Sequence, residues 1–412
     1  MGMLFVAGQY SNLLTRTPGV VTASTTNALF PTTGLYDGRA AVPFMFNAAG
    51  VDDWTKKDVN LTTNPGFETS TLASWTSRNL GTGTSTETLT GAEVHSGTKA
   101  CEMTGTNASN RGGRSQDYLC HPGDFLKLDS WARAITSGTW KYFAQNLATG
   151  RFYNGSTWQT AETNFSTGTS TTYANQTVTF QLEDYEACQQ PVVTLRLTLI
   201  CEAGNVAFDD VLLLPAVNFT SVHGHNLAAL APVLQSSPDD SAWTTRITPT
   251  IKRPSFYAYD SAVKHYYRYW RLFLVGTNAA PGYMGEWVLG DADAPLNAQL
   301  WDYSTKWTYA QARMVASGGD TFRYLVATDP TRVLSLSFQP AGSSQAEYRE
   351  LRDTLFRLHQ GGNYPVVIAP LDTEADVLLA IPGQDVDIAR TFSGVWGADL
   401  TFEEMQFPIL GL

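Results

Sequence analysis

The sequence predicts a mainly β protein with two β-sandwich domains, one inserted in a loop of the other. A C-terminal α+β sandwich with one helix follows them. Three observations predict this. Charged residues make up only 16% of the 412 residues, against roughly 25% in an ordinary soluble domain. Aromatic residues reach 12%, and glycine (34) and proline (19) are plentiful. The clearest apolar runs alternate with polar residues, the period of a half-buried strand.

Composition also excludes function classes. The chain is too apolar and aromatic for disorder. With 27 basic and 38 acidic residues its net charge is −11, and it has no basic runs. Sequence-specific nucleic-acid binding, which rests on phosphate neutralisation, is therefore not expected. No window offers about 18 uninterrupted apolar residues, so no membrane insertion is expected. The opening MGMLFVAGQY lacks the basic and apolar regions of a secretory signal. The length suits two or three domains.

The first flank, residues 1–59, and a second, residues 216–290, each lack the strands to close a sandwich alone. Joined, they are expected to make one discontinuous host domain, as the resemblance of the flanks given below implies, which the chain leaves near Val59 and re-enters near Val217. Residues 60–215 differ in texture. They are rich in Thr, Ser and Gly, and runs such as Thr177–Leu182 and Thr194–Leu199 alternate with period two. They read as an inserted antiparallel sandwich, and loop tips are where folds tolerate insertion. All four cysteines (Cys101, Cys120, Cys188, Cys201) fall in this segment, with 18, 67 and 12 residues between them. No CxxC occurs, which argues against zinc. Reduced core cysteines and disulfides both fit the spacing.

Residues 291–412 comprise a linker and the C-terminal domain. Strands are expected at Arg332–Phe338, Val366–Ala369, Val377–Ile381 and Leu400–Glu404. A helix is expected over 344–359. Ser344 and Glu347 form a capping box. Tyr348, Leu351, Leu355 and Leu358 make one apolar stripe, and Gly361 and Gly362 end it.

Four aromatic residues are candidates for ligand contact: Trp140 and Tyr142 in GTWKYF, Tyr153 and Trp158 in RFYNGSTWQ. Trp158 lies in a turn-rich stretch where a core indole is less expected. Trp75 and Trp131 read as core. No nucleophile elbow, phosphate-binding loop or zinc-protease motif occurs, so the chain reads as a non-enzyme. The acid pairs Asp52-Asp53, Asp209-Asp210, Asp239-Asp240 and Glu403-Glu404 are neighbours in sequence. Strand neighbours face opposite sides, so no pair should form a dyad. His223-Gly224-His225 reads as the end of a core strand, with His225 or Asn226 bonding to backbone. In Tyr267–Leu274, Trp270, Leu272 and Leu274 should share one face with Arg268, opposite Tyr269, Arg271 and Phe273.

Five motifs occur in order in the inserted segment: NPGFE (Asn64–Glu68), Trp75, HSGTKA (His95–Ala100), LDSWARA (Leu128–Ala134) and VAFDDVLL (Val206–Leu213). The segment resembles carbohydrate-binding modules of the family 4/9/16/22 type, which are jelly-roll sandwiches with a galactose-binding-like fold. The resemblance implies glycan binding through aromatic faces, here Trp158, Tyr153, Trp140 and Tyr142. It also implies a structural calcium held by Glu68 and Asp210. The flanks carry a TAS…FP…LYDGR opening, an RYWRL strand and a GYMGEWVLG ending. They resemble the discoidin-like sandwich of phage tail proteins, and 330–412, with its closing DLTFEEMQFP, resembles the tail-tube-like fold of distal tail proteins.

The resemblance implies a structural component of a virion tail tip or baseplate, assembled in the host cytoplasm. Its partners would be copies of itself in a homohexameric ring, other tail tube and hub proteins, and host cell-surface glycan. A trimeric receptor-binding or tail-fibre protein, or a carbohydrate-active enzyme with an accessory module, are the alternatives. From Thr331 to Leu412 there are 11 acidic and 5 basic residues, a net −6. Asp372, Glu374, Asp376, Asp385 and Asp387 are therefore expected to line a ring lumen and repel passing DNA.

Overall fold

The computed structural model describes residues 4–6, 12–26, 28–29, 31–36, 43–47, 50–78, 80–81, 86–106, 110–227, 230–249, 255–277, 280–292, 300–308, 311–315, 321–325, 331–338, 366–369, 378–382, 387–392 and 395–404. The chain is mainly β, built from antiparallel sheets that include β-sandwiches. Among the described residues no helix is long and apolar enough to cross a membrane.

Among the described residues, the strands between Thr76 and Pro215 pair only with one another. The organising element is one strand of 23 residues, Val193–Pro215. Its first half lies between Asn110–Cys120 and Thr139–Asn146. Its second half lies between Ala100–Gly105 and Phe125–Ala134. The strand passes from one layer to the other at Gly204, whose φ is +73° and where a Cβ would sit 1.4 Å from the Ser137 carbonyl oxygen. Only glycine fits there. In Phe125–Ala134 every second residue is buried. In the long strand Leu195, Leu197 and Leu199 alternate inward in the same way. The core they enter also holds Trp75, Tyr118, Leu128, Tyr142, Phe208 and Leu213. Each fully buried leucine contributes ~1.5–3 kcal/mol to holding the layers together. All four cysteines are buried and free.

A second pair of sheets joins the flanking segments. Val51–Asp58 pairs with Tyr269–Thr277 and Val21–Ala23, and Tyr269–Thr277 pairs with Ala231–Ser237. Phe44–Met45 pairs with Tyr283–Gly290, which pairs with Phe219–His225. Trp270, Leu272 and Leu274 are buried while Tyr269, Arg271 and Phe273 are half-buried, as the alternation predicts. Leu35, Phe44, Val222, Trp270 and Trp287 share the core between these sheets.

The two units are stitched at the crossover. Ala216 N–H of the host donates to the Phe125 carbonyl of the module at 2.9 Å, while on either side of the joint Val59 N–H bonds the Arg268 carbonyl within the host and Leu61 N–H the Leu213 carbonyl within the module. Arg16, the last residue of the short helix Leu13–Arg16, pairs with Asp124. The Lys264 ammonium lies 4.2 Å from the centre of the Phe125 ring.

The C-terminal sheet places Thr331–Phe338 between Leu300–Thr308 and Val395–Glu404. Leu378–Pro382 and Val366–Ala369 continue it. Its last strand is Leu4–Val6, paired with Val367–Ala369. The opening strand, expected in the host segment 1–59, thus belongs to this sheet. A three-residue strand carries no local sign of its partner, and here the partner lies more than 360 residues away. The helix expected over 344–359 lies outside the described residues. So do Asp372, Glu374, Asp376 and Asp385, while Asp387 opens the strand Asp387–Phe392.

Candidate ligand cleft

Phe152–Tyr153 and Trp158–Gln159 form a miniature hairpin at one edge of the inserted sandwich. Its turn is Asn154-Gly155-Ser156-Thr157. The Asn154 side-chain oxygen accepts from Ser156 N–H at 2.9 Å and Thr157 N–H at 2.8 Å, so the asparagine substitutes for a backbone turn bond. Gly155 takes φ +100°. Opposite the hairpin, the chain leaves Ala174–Gln181, passes Leu182 and Glu183, and enters the four-residue helix Tyr185–Cys188. Asp184 caps this helix, accepting from Ala187 N–H at 2.9 Å.

Between them lies a cleft of about 450 Å³ whose lining includes Arg151, Tyr153, Trp158, Gln181, Glu183 and Asp184. The Trp158 and Tyr153 rings meet at 5.4 Å and 50°. Phe180 backs Tyr153 at 5.3 Å. The Trp158 Nε1–H donates to the Gln181 carbonyl at 2.9 Å. Glu183 is held from three sides, by Arg151 Nη1 at 2.9 Å, Asn146 Nδ2 at 3.0 Å and Thr149 Oγ1 at 2.5 Å. Burial pushes the Tyr153 phenol pKa up, so that hydroxyl stays protonated. Aromatic walls with a few fixed polar groups are what small-ligand sites use. Glu183 is 5% exposed and tied to Arg151, which suits it to positioning.

The structure therefore brings together Tyr153 and Trp158, and it removes Trp140 and Tyr142 from this set. Trp140 is 2% exposed and Tyr142 is fully buried. The Tyr142 hydroxyl meets Ser130 Oγ at 2.8 Å, and Gly168 sits against the Trp140 ring, where a Cβ would come within 2.2 Å. Trp140, Tyr142, Ala144 and Asn146 of their strand Thr139–Asn146 are all buried, so its even-numbered face is the core face. Arg151 and the 181–184 segment carried no motif. Trp75 is core, whereas Trp131 is half-buried under the His95 ring, stacked at 4.0 Å and 16°.

Glu68 and Asp210 both face the 95–99 loop. Glu68 accepts from Thr98 N–H at 2.8 Å, Thr98 Oγ1 at 2.5 Å and Lys99 N–H at 3.1 Å. These donors, the Thr98 hydroxyl foremost, hold its pKa below the ordinary value. Asp210 meets Ser96 Oγ at 2.8 Å and His95 Nδ1 at 2.7 Å. Asp209 accepts from the N–H groups of His95 at 2.8 Å and Ser96 at 3.1 Å. Asp210 has φ +48°, at an irregularity of register against Asp129–Trp131. The expectation that strand neighbours point apart fails at this bulge, and both aspartates grip one loop.

Among the described residues no group of three or more His, Cys, Asp or Glu is placed to hold a metal. A calcium needs six to eight oxygens, but Glu68 and Asp210 are already turned to N–H and O–H donors. They form a hydrogen-bonded clamp.

His223 is buried between Ser221 Oγ (2.9 Å) and Ser255 Oγ (3.0 Å). Burial drives its pKa down to about 3. His225 Nδ1 accepts from Leu227 N–H at 3.2 Å, and Asn226 donates to the Pro281 carbonyl at 3.0 Å. Both backbone bonds that the sequence suggested as alternatives are made.

Fold and cleft together define a multi-sandwich β protein with an aromatic-lined cleft. No family model matches the chain, and no curated protein matches it. Among solved structures it is similar to the enzymatically active domain of tailspike protein 4 of bacteriophage CBA120, at 13% identity and TM-score 0.29 over 38% of this chain. The match spans 21% of the tailspike chain. It is similar to the CBM22-1 xylan-binding domain of Paenibacillus barcinonensis Xyn10C, at 16% identity and TM-score 0.27, over 36% of this chain and 90% of that one. A third is TmCBM61 in complex with β-1,4-galactotriose, at 15% identity and TM-score 0.25, over 38% and 98%. No property of those proteins passes to this chain through such similarities.

Proposed function

We propose that residues 60–215 are a carbohydrate-binding module carried by a structural protein of a phage tail tip or baseplate. In this reading 12–59 and 216–290 form the host sandwich, which with 291–412 and the opening strand Leu4–Val6 builds a distal-tail-type hexameric ring. The module projects outward to host-surface glycan, and the acidic residues 372–387 face the lumen. The observation that carries the reading is the convergence of Tyr153 and Trp158 on one cleft with Arg151, Gln181 and Glu183 along it. Further support comes from the ordered motifs of the sequence and from the stitched crossover, which would transmit an attachment force to the host sandwich. Weak single sites would gain about 10²–10⁴ in avidity on a ring.

A glycan array with the full chain tests binding. Wild type should retain a defined glycan set, and Trp158→Ala, with unchanged melting temperature, should lose it. An array on which both proteins behave alike overturns the module reading. Negative-stain microscopy tests the ring, since trimers or monomers alone would exclude the adaptor.

A further inference from the structure

The outer face of the five-stranded sheet carries a feature the cleft does not use. Register places Arg271 between Gln235 and Lys56, and Phe273 between Val233 and Trp54. The Arg271 guanidinium lies over Trp243 at 4.3 Å and over Phe273 at 4.7 Å. Its Nε–H donates to Gln235 Oε1 at 2.7 Å. Two aromatic rings and an amide thus fix the plane of the fork.

Its neighbours are neutralised. Lys56 reaches Asp240 at 2.6 Å, and Arg268 reaches Asp58 at 3.0 Å. Among the described residues Arg271 alone of these three cations forms no salt bridge, and the one carboxylate whose charge reaches it, Asp240, is held by Lys56. Its terminal N–H groups are left for a partner from outside. Such a fork matches a carboxylate in two-point geometry.

The carrier of that carboxylate follows from the sheet. Tyr269–Thr277 is paired on both sides, so no peptide strand can add to it. What the face offers is half-buried aromatic rings, Trp54 with the Lys56 ammonium 5.4 Å from its centre and Phe273 beside the Arg271 guanidinium, whose remaining flat surface suits the apolar side of a sugar ring. We propose that this face is a second ligand surface, taking an acidic sugar with its carboxylate on Arg271 and its ring against Trp54 and Phe273. It is independent of the Trp158 cleft, whose own arginine is already occupied by Glu183.

Calorimetry on the full chain with tetragalacturonate and its methyl ester tests this. The acid should bind and the ester should bind at least about tenfold more weakly, as expected when a charged hydrogen-bond pair is lost. Arg271→Gln should weaken the acid by a similar factor, and added salt should weaken it further. Trp158→Ala should leave it unchanged, which separates this site from the cleft. Equal binding of acid and ester overturns the proposal, as does equal binding by wild type and R271Q. A changed sedimentation coefficient for R271Q also overturns it, because the face would then belong to a second copy. Should R271Q lower the melting temperature, Trp243→Ala outside the strands decides, with loss expected and unchanged binding refuting.

Discussion

The indole of Trp158 donates to the carbonyl of Gln181 at 2.9 Å, tying the tip hairpin to the end of the strand Ala174–Gln181. This bond sets the angle of the ring before any ligand arrives. A site built this way loses little side-chain entropy on binding.

The first prediction concerns that bond. Trp158→Phe keeps an aromatic ring but deletes the donor. The bond contributes about 1 kcal/mol to folding, so the melting temperature should fall by a few degrees at most, and glycan affinity should fall a few fold because the freed ring must be immobilised on binding at a cost of about 0.5–1.5 kcal/mol. Trp158→Ala should abolish detectable binding. Titration of both variants against a glycan retained on the array checks it, and wild-type affinity in W158F would show the tether to be irrelevant.

Parts of this arrangement were legible in the sequence. Tyr153 and Trp158 flank Asn-Gly-Ser-Thr, a turn composition, so their place at a surface hairpin could be read locally. Trp140 and Tyr142 combine the chemistry of sugar contacts with the parity of core residues. They are two apart in a strand whose other side carries Lys141, and that spacing marks a core face. The clamp on the 95–99 loop was not legible. It depends on the bulge at Asp210, and a one-residue irregularity in pairing leaves no periodic trace. The partner of Leu4–Val6 was equally hidden, since strand pairing across the whole chain has no local signal.

The second prediction follows from the clamp. Donors already fill Glu68 and Asp210, so calcium should add little. The melting temperature of the full chain should be the same, within about 1 °C, in millimolar calcium and in chelator. Glu68→Ala should lower it in both, by freeing Thr98 and Lys99. A rise of several degrees with calcium would mean that the loop rearranges around a cation.

The third prediction is a pH dependence. Asp209 is fully buried, and burial, opposed by its backbone N–H donors, raises its pKa to about 6. In the unfolded chain it ionises near 4. Between these values the folded state holds more protons, so stability from this group is present at low pH and lost as pH rises from about 4 to about 6. The swing is on the order of 3 kcal/mol. His223 acts oppositely, losing stability below about 6.5 because it stays neutral in the fold. The test is therefore the difference in unfolding free energy between wild type and Asp209→Asn from pH 4 to 7. Wild type should lose ground as pH rises, and a flat difference would refute the assignment.

The fourth prediction concerns the joint between the units. Arg16 and Asp124 belong to different sandwiches, and their side chains are 10% and 17% exposed. Asp124 also accepts from His121 N–H at 2.7 Å, so one carboxylate anchors both a turn of the module and the host helix. Removing one member of a mostly buried pair leaves the other uncompensated and costs about 3–5 kcal/mol. Arg16→Ala should cost more than the double substitution Arg16→Met, Asp124→Leu, because the double variant strands no charge. The crossover backbone bonds would remain, so the module should loosen and stay folded. Limited proteolysis should then cut faster near residues 60 and 216 in R16A, with the 60–215 fragment surviving. Cutting inside the fragment first would show that the ion pair supports the module's own fold instead of its seat on the host.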